Sequence, residues 1–410
     1  MVTHFSRQQL FRQREARVHT TIALSFALMP HPRTIVLLGL LGLAAACQEG
    51  GNSSNASSEV KLDIDHFMAA FGGKAQFDEG FPLEENDTYT DLATLHFKDT
   101  GKYQLWRIGQ KDPTPPNPYF LEKDGDLTII VSQSKRSSLR WPGYYDLTGN
   151  AYFFVSRTQG FLRAFFGVRQ MTGIPDVAGS WHVLGETLVF AATTAKPTHD
   201  RVGRAFKGTL TVDATGKITA GLWKDSSGSS VLVTGTLKGS TLGNVDAALE
   251  LKGGPATGAR SFSGGLTKNL GVLMDRVATD GNVGPLVMVR QNPDGIDKKK
   301  VVGEWHMGLH AIFNRPVIAS GVDTAEGILT FTDTTWKFVL NNPIDTFEGT
   351  WSIGSTGDLT LREKEFNQDW VGAIDLDHKT LVLVDRTTEG GGTSGTPWVG
   401  FFFGLKRTSE

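Results

Sequence analysis

An all-β chain of three tandem antiparallel units, each a β-sandwich or a barrel, is what this sequence predicts. Three observations predict it. Glycine is abundant, 48 of 410 residues, beside much Thr, Val, Leu and Phe, the composition of short strands joined by tight turns. Turn signals recur about every 8–14 residues between alternating apolar and polar stretches, and no long helical period interrupts them. The chain also resembles itself at a period of about 115–120 residues.

The internal matches fall in one order with nearly constant offsets. Ala164-Phe-Phe-Gly-Val-Arg-Gln170 resembles Phe401-Phe-Phe-Gly-Leu-Lys-Arg407, with Pro285-Leu-Val-Met-Val-Arg-Gln291 between them. Phe154-Val-Ser-Arg157, Leu273-Met-Asp-Arg276 and Leu383-Val-Asp-Arg386 form a second set. Gly125-Asp-Leu-Thr-Ile129 pairs with Gly357-Asp-Leu-Thr-Leu361, and Trp141-Pro-Gly-Tyr-Tyr-Asp-Leu147 with Trp370-Val-Gly-Ala-Ile-Asp-Leu376. These place unit 1 at residues 60–172, unit 2 at 173–296 and unit 3 at 297–410. They predict that Trp141 and Trp370 share one place in the fold, as do Arg157, Arg276 and Arg386.

Before the units, residues 1–46 read as a secretory signal. Basic residues (His31, Arg33) precede the apolar run Thr34 to Ala46, and small polar residues follow Cys47. Met29 gives this signal an ordinary charged start, which makes Met29 the expected initiator. The run is about 13 residues, short of the ~18 that span a bilayer. With the cysteine placed last, the segment resembles the signal peptide of bacterial lipoproteins, although Ala44 stands where that family usually has Leu. The resemblance implies that Cys47 is lipidated, carrying a thioether-linked diacylglycerol and an N-acyl chain such as palmitate. It implies attachment to the bacterial outer membrane or cell surface. Residues 47–59 form a flexible Gly/Ser-type tether.

In unit 1, Asp65-His-Phe-Met-Ala-Ala-Phe71 is the best helix candidate, with an Asp cap and a Gly72-Gly73 stop. It stands where the other units place a first strand, so unit 1 is expected to diverge. Asp112-Pro-Thr-Pro-Pro-Asn-Pro118 favours a stiff extended loop. All six tyrosines (Tyr89, Tyr103, Tyr119, Tyr144, Tyr145 and Tyr152) lie in this unit. Tyr144 and Tyr145 replace Ala373 and Ile374 and sit near Lys135, Arg136 and Arg140. Tyr and Arg are enriched at recognition surfaces. Arg140, Tyr144 and Tyr145 are therefore the candidate ligand-binding patch, expected to be at least partly exposed. The plainer alternative is that these aromatics fill a differently shaped core.

In unit 2, Phe206-Lys-Gly-Thr-Leu-Thr-Val212 and Lys217-Ile-Thr-Ala-Gly-Leu-Trp223 flank Asp213-Ala-Thr-Gly216, a hairpin with Asp opening the turn. Units 2 and 3 open with Val177-Ala-Gly-Ser-Trp181-His182 and Val301-Val-Gly-Glu-Trp305-His306. A Gly-x-Trp first strand closed by a late strand carrying Arg or Lys resembles the lipocalin and avidin superfamily. The resemblance implies an antiparallel barrel plugged at one end by the Trp, with a basic residue on its face as a cation–π pair. The matching pairs are Trp181 with Arg290, and Trp305 with Lys406 or Arg407. The polar residues with which avidins hold biotin are absent after Trp181, where His182-Val183-Leu184 stands.

Other chemistry is thinly represented. A net charge of −2 shows no nucleic-acid footprint. Cys47 is the single cysteine, so the units are stabilised by burial and not by disulfides. His306 and His310 have helical metal-ligand spacing, but on a strand they stand roughly 13 Å apart at ~3.3 Å per residue. His182 and His306, at equivalent positions beside a core Trp, should face away from it. Gly-x-Ser-x-Gly, a phosphate loop and a cysteine nucleophile are absent. No metal or cofactor is expected. The sequence reads as a membrane-anchored, non-catalytic binding or structural protein whose partner is a protein, glycan or lipid. A lipocalin-like carrier of a lipid or small hydrophobic ligand is the alternative. Phe-rich closing strands such as Phe401-Phe402-Phe403 favour filled barrels.

Overall fold

The computed structural model describes residues 59–74, 88–107, 110–134, 137–148, 150–158, 160–189, 202–226, 228–253, 257–275, 284–313, 321–341, 344–364, 368–386 and 398–407. They form three closed eight-stranded antiparallel barrels in tandem. Barrel 1 comprises β1 (Ile64–Lys74), β2 (Thr88–Lys98), β3 (Lys102–Arg107), β4 (Asn117–Leu121), β5 (Asp126–Ser134), β6 (Ser137–Tyr145), β7 (Ala151–Thr158) and β8 (Phe161–Arg169). Barrel 2 comprises β9 (Gly179–Val189), β10 (Val202–Val212), β11 (Ile218–Asp225), β12 (Ser230–Gly239), β13 (Asn244–Lys252), β14 (Gly258–Leu266), β15 (Leu270–Asp275) and β16 (Pro285–Arg290). Barrel 3 comprises β17 (Gly303–Phe313), β18 (Gly321–Phe331), β19 (Thr335–Asn341), β20 (Ile344–Ile353), β21 (Asp358–Glu363), β22 (Asp369–Ile374), β23 (Thr380–Arg386) and β24 (Trp398–Lys406). A one-turn helix, α1 (Lys298–Val301), capped by the Asp297 carboxylate, leads into barrel 3.

Local chemistry sets the hairpins. Between β10 and β11 the Asp213 carboxylate accepts from the backbone N–H of Thr215 at 2.8 Å and of Lys217 at 3.0 Å, while Gly216 takes φ +82°. This is the turn that Asp213-Ala-Thr-Gly216 predicts. The alternation is clean on the solvent side of the barrels. In β13, Val245, Ala247, Leu249 and Leu251 point inward, and Asp246, Ala248, Glu250 and Lys252 are exposed. Apolar inside and charged outside is the reverse of a membrane-spanning barrel. No helix among the described residues is long and apolar enough to cross a membrane.

The repeat matches hold in three dimensions. Trp141 pairs with Ile129 and Trp370 with Leu361, each across the fifth and sixth strands of its barrel. Arg157 and Arg386 lie near the ends of equivalent seventh strands, β7 and β23; Arg276 lies outside the described residues.

The expected helix at Asp65–Phe71 is instead part of strand β1, so unit 1 keeps the common pattern. The reason lies in its surroundings. His66, Met68 and Ala70 face the interior of barrel 1, while Ala69 and Phe71 face the other barrels. With both faces buried, the period-two alternation that marks a strand disappears from the sequence. The same holds for β7, β15 and β16, buried along almost their whole length.

Four apolar cores result. Three fill the barrels. The fourth lies between the barrels and draws on all three: Phe71, Phe153 and Phe166 from barrel 1, Val272, Val287 and Val289 from barrel 2, and Ile312, Phe401 and Phe403 from barrel 3, among others. Each such side chain stabilises by roughly 1.5–3 kcal/mol over its exposed state, so the barrels are one body and not beads on a string.

The packing is cyclic. β1 lies on β14 and β15 of barrel 2; β9 and β10 lie on β23 and β24 of barrel 3; β17 and β18 lie on β7 and β8 of barrel 1. Each barrel thus offers its opening strands to the closing strands of the next. A head-to-tail contact that closes after three copies makes a pseudo-threefold ring. Close approach is secured by glycine: a Cβ on Gly308 would meet the Phe153 ring at 2.6 Å, and one on Gly265 the Phe67 ring at 2.4 Å.

Candidate functional site

One end of each barrel is closed by a plug. In barrel 2, Trp181 is fully buried and donates its indole N–H to the Val177 carbonyl at 3.0 Å. The Arg290 guanidinium lies 4.3 Å over its ring and donates to the carbonyls of Lys268, Ala178 and Asp176 at 2.7–2.8 Å. Gly179, at φ +122°, leaves the room that this guanidinium needs, since a Cβ there would meet Nη1 at 2.9 Å. Barrel 3 repeats the device: Trp305 donates to the Val301 carbonyl at 2.9 Å, and Lys406 lies 5.6 Å over the ring while donating to the Lys300 carbonyl. Arg407, the other candidate for that position, instead pairs with Glu304 at 2.8 Å.

In barrel 1 the plug position is His66. It pairs in register with Arg169, as Trp181 pairs with Arg290 and Trp305 with Lys406. His66 is smaller than Trp, and aromatic side chains fill the difference. Phe97, Tyr145 and Tyr152 stand edge-on to the His66 ring with centroids 5.2–5.6 Å away. Two of the tyrosines confined to unit 1, Tyr145 and Tyr152, thus help replace a plug.

The expected recognition patch at Tyr144 and Tyr145 is not a surface. Tyr144 is 1 % exposed and Tyr145 0 %, while Arg140 is exposed. The two rings point to opposite faces of β6. Tyr145 enters the core of barrel 1. Tyr144 points out of barrel 1 and into barrel 3, where it stacks on His306 with centroids 3.9 Å apart and planes within 10°. Its hydroxyl donates to the Asp124 carbonyl. Ala373, its counterpart in barrel 3, joins the fourth core with a smaller side chain. Private residues of unit 1 thus shape one of three unequal interfaces.

Three histidines, His182, His306 and His310, are joints between barrels. His182 and His306 face away from their tryptophans, as their position demands. His182 Nε2 lies 2.9 Å from the Thr356 carbonyl of barrel 3. His306 Nδ1 lies 3.5 Å from the Asp126 carboxylate of barrel 1. Burial first, then the Arg407 guanidinium, lowers the His306 pKa to about 4 against the pull of Asp124 and Glu304. The folded state thus resists a proton that the unfolded chain accepts near pH 6.5. Stability from this group is complete above pH 6.5 and is lost as the pH falls toward 4, by about 2–3 kcal/mol. His306→Phe keeps a ring on Tyr144 and removes the titration. Urea unfolding from pH 7 to pH 4 should show a flatter pH dependence in that variant than in the parent. Parallel curves would mean that His306 takes no part in acid sensitivity.

On the pseudo-threefold axis the ring closes on an unlike trio. Five residues after the plug position of each barrel stand Phe71, Glu186 and His310, all buried. His310 Nδ1 is 2.5 Å from Glu186 Oε2, and the Phe71 and His310 rings lie 4.6 Å apart. Burial pushes the Glu186 carboxyl above the ordinary carboxylate range, against the lowering effect of His310. Sequence reasoning missed this trio. The equal offset from His66, Trp181 and Trp305 was visible, but nothing in the chain said that three barrels share an axis.

Little here resembles a reaction centre. The Glu186–His310 pair has geometry suited to proton exchange, but both side chains are at most 1 % exposed and no substrate can reach them. Among the described residues no group of three or more His, Cys, Asp or Glu side chains is placed to hold a metal ion. A hollow of about 640 Å³ lies on barrel 3, lined by Thr330, Thr335, Lys337, Glu348, Thr350 and Arg362 among others. Its wall combines outward-facing Thr and charged side chains of β18–β21 with Trp336 and Glu363. Cys47, the expected lipidation site, lies outside the described residues.

No protein-family model matches this chain, and no curated protein matches it. Among solved structures, a double mutant of transferrin binding protein B from Haemophilus parasuis Hp5 aligns over 86 % of this chain and 78 % of its own, at 11 % identity and a TM-score of 0.30. The isotype 1 transferrin binding protein B of serogroup B Neisseria meningitidis aligns over 85 % and 77 %, at 10 % identity and a TM-score of 0.26. Likeness at this level transfers no residue, partner or activity.

Proposed function

We propose that this chain is a non-catalytic binding or structural protein of the bacterial outer membrane or cell surface, held there by lipid on Cys47. It works through the outside of its barrels. The observation that carries this reading is the state of the interiors. Trp305, Trp336, Trp351, Trp370, Phe338 and Phe402 occupy the inside of barrel 3, and Trp181, Trp223, Phe206 and Phe262 that of barrel 2. A lipocalin-type carrier encloses its ligand; here side chains take that space. Partner contact falls to the outer faces, where β11–β13 and β19–β21 present charged and Thr residues to solvent together with the half-exposed cross-strand pair Leu222 and Leu232. A fused ring also holds those faces at fixed angles, so several contacts can form at once without the ordering cost of a flexible array.

Two measurements test the reading. Cys47→Ser should move the protein from the membrane fraction to the soluble fraction, because the lipid supplies the attachment. A Ser variant that still pellets after a salt wash would refute the anchor. Mass spectrometry of organic extracts should find no stoichiometric lipid in protein made without its signal. A ligand recovered at one per chain would restore the carrier reading.

A further inference from the structure

The plug end of the molecule carries an exposed apolar corner. Met171 is 39 % exposed, Ile174 69 % and Leu242 69 %. They are contiguous. Gly173 bridges to Leu242, the Gln170 side-chain amide donates to the Leu242 carbonyl at 2.8 Å, and Ile174 and Pro175 close over Gly239. Apolar side chains on a turn and a linker cost solubility and contribute nothing to the cores, so their exposure asks for an occupant.

The chain itself says where that corner sits. β1 begins at the plug end, and the N–H of Gln170 donates to the Asp65 carbonyl at 2.8 Å. Met171 therefore follows directly on the residue bonded to the start of β1, and the tether arrives at the same end, where the Val60 N–H donates to the Leu121 carbonyl at the end of β4 at 2.9 Å. Residues 48–59 are of Gly/Ser type, and 12 such residues span about 20 Å on average. A lipid on Cys47 would hold this end near the bilayer, at about that distance on average and about 40 Å at full extension. Three side chains are far too small a patch for a stable second copy, which needs roughly 1,200 Å² or more of total burial. They suffice for a shallow seat at a lipid interface, where modest apolar area adds to an existing anchor.

We infer that the plug end lies on the membrane, with Met171, Ile174 and Leu242 seated in the lipid interface. The inference rests on the lipid-anchor reading and adds an orientation to it. The opposite barrel ends then point away from the bilayer, and the outer faces stand roughly upright, open to a partner.

The test is depth measurement by spin labelling of the full lipoprotein in membranes. A lipidated Cys47 has no free thiol, so one added cysteine carries the only label. Ile174→Cys and, as a second site, Leu242→Cys report the patch. Ile344→Cys is the control: it is equally apolar and 81 % exposed, but it opens β20 at the far end. Collisions of the label with an aqueous nickel chelate should fall about tenfold at 174 and 242 relative to 344, while collisions with oxygen rise. Labels at 174 and 242 as water-exposed as the one at 344, in protein that is membrane-bound, would overturn the orientation and leave the anchor intact. Spin–spin broadening at 174 that persists in detergent would show a second copy on the patch and overturn it as well. Label uptake by the parent chain at Cys47 would show a free thiol, and then anchor and orientation fall together.

Discussion

Replacing Tyr144 and Tyr145 with alanine is expected to unfold barrel 1 rather than to trim a binding surface. Truncation of a fully buried aromatic costs about 3–5 kcal/mol. The two rings point to opposite faces of β6 and sit in different cores, so each truncation opens a cavity of its own. Tyr145→Ala removes a wall of the space around His66. Tyr144→Ala removes the stack on His306 and the hydroxyl bond to the Asp124 carbonyl. The sum is comparable with the whole stability of an ordinary domain, about 5–15 kcal/mol. Urea unfolding of the single variants, followed by tryptophan fluorescence, should show midpoints well below the parent, with Tyr144→Ala also removing the acid sensitivity assigned to His306. Single variants within 1 kcal/mol of the parent, at any exposure, would contradict the burial of these rings.

Breaking the axial pair is the second large effect. His310→Leu leaves the Glu186 carboxylate in an apolar axis without its partner, and loss of one member of a buried pair costs about 3–5 kcal/mol. Glu186 already sits above the ordinary carboxylate range because of burial, and losing His310 moves it further in that direction. Such a carboxyl keeps its proton in the folded state after the unfolded chain has released it. Its contribution therefore falls as the pH rises through the unfolded value near 4.3 toward the folded one. The deficit of His310→Leu should be largest at pH 7 and shrink toward pH 4. The double variant Glu186→Leu with His310→Phe should fold to within about 1 kcal/mol of the parent or exceed it, since apolar replacement of a whole buried pair is often neutral or better. A double variant as unstable as the single one would show that the ionic pair itself, and not its completeness, holds the axis.

Two expectations that the structure overturns, the exposed Tyr pair and the Asp65–Phe71 helix, share a physical origin. Tyr144 and the Asp65–Phe71 segment lie where a barrel meets its neighbours, while Tyr145 fills barrel 1 itself. A strand lining one barrel and packed on another is apolar on both faces, so β1 loses its alternation and imitates a helix. A tyrosine aimed at a second barrel looks, in sequence, like a tyrosine aimed at solvent. By contrast, the features read correctly are governed within one unit. Asp213 and Gly216 set their own turn through local hydrogen bonds and a positive φ. The Gly179–Trp181–Arg290 plug is confined to one barrel and leaves a fixed pattern.

The resemblance to lipocalins and avidins implied the barrels and the tryptophan plugs of the last two units; by itself the sequence determined that this chain is all-β and a threefold tandem of antiparallel units with Trp141 and Trp370 in equivalent places. Those properties follow from periodicity, turn chemistry and short-range pairing, which act within a unit. Only the tertiary structure decided that the units close into a ring with a core of their own, that Phe71, Glu186 and His310 meet on its axis, and that Tyr144 lies under His306. The physical reason is that burial between barrels depends on which outer faces meet, and a heterologous contact carries no period along the chain.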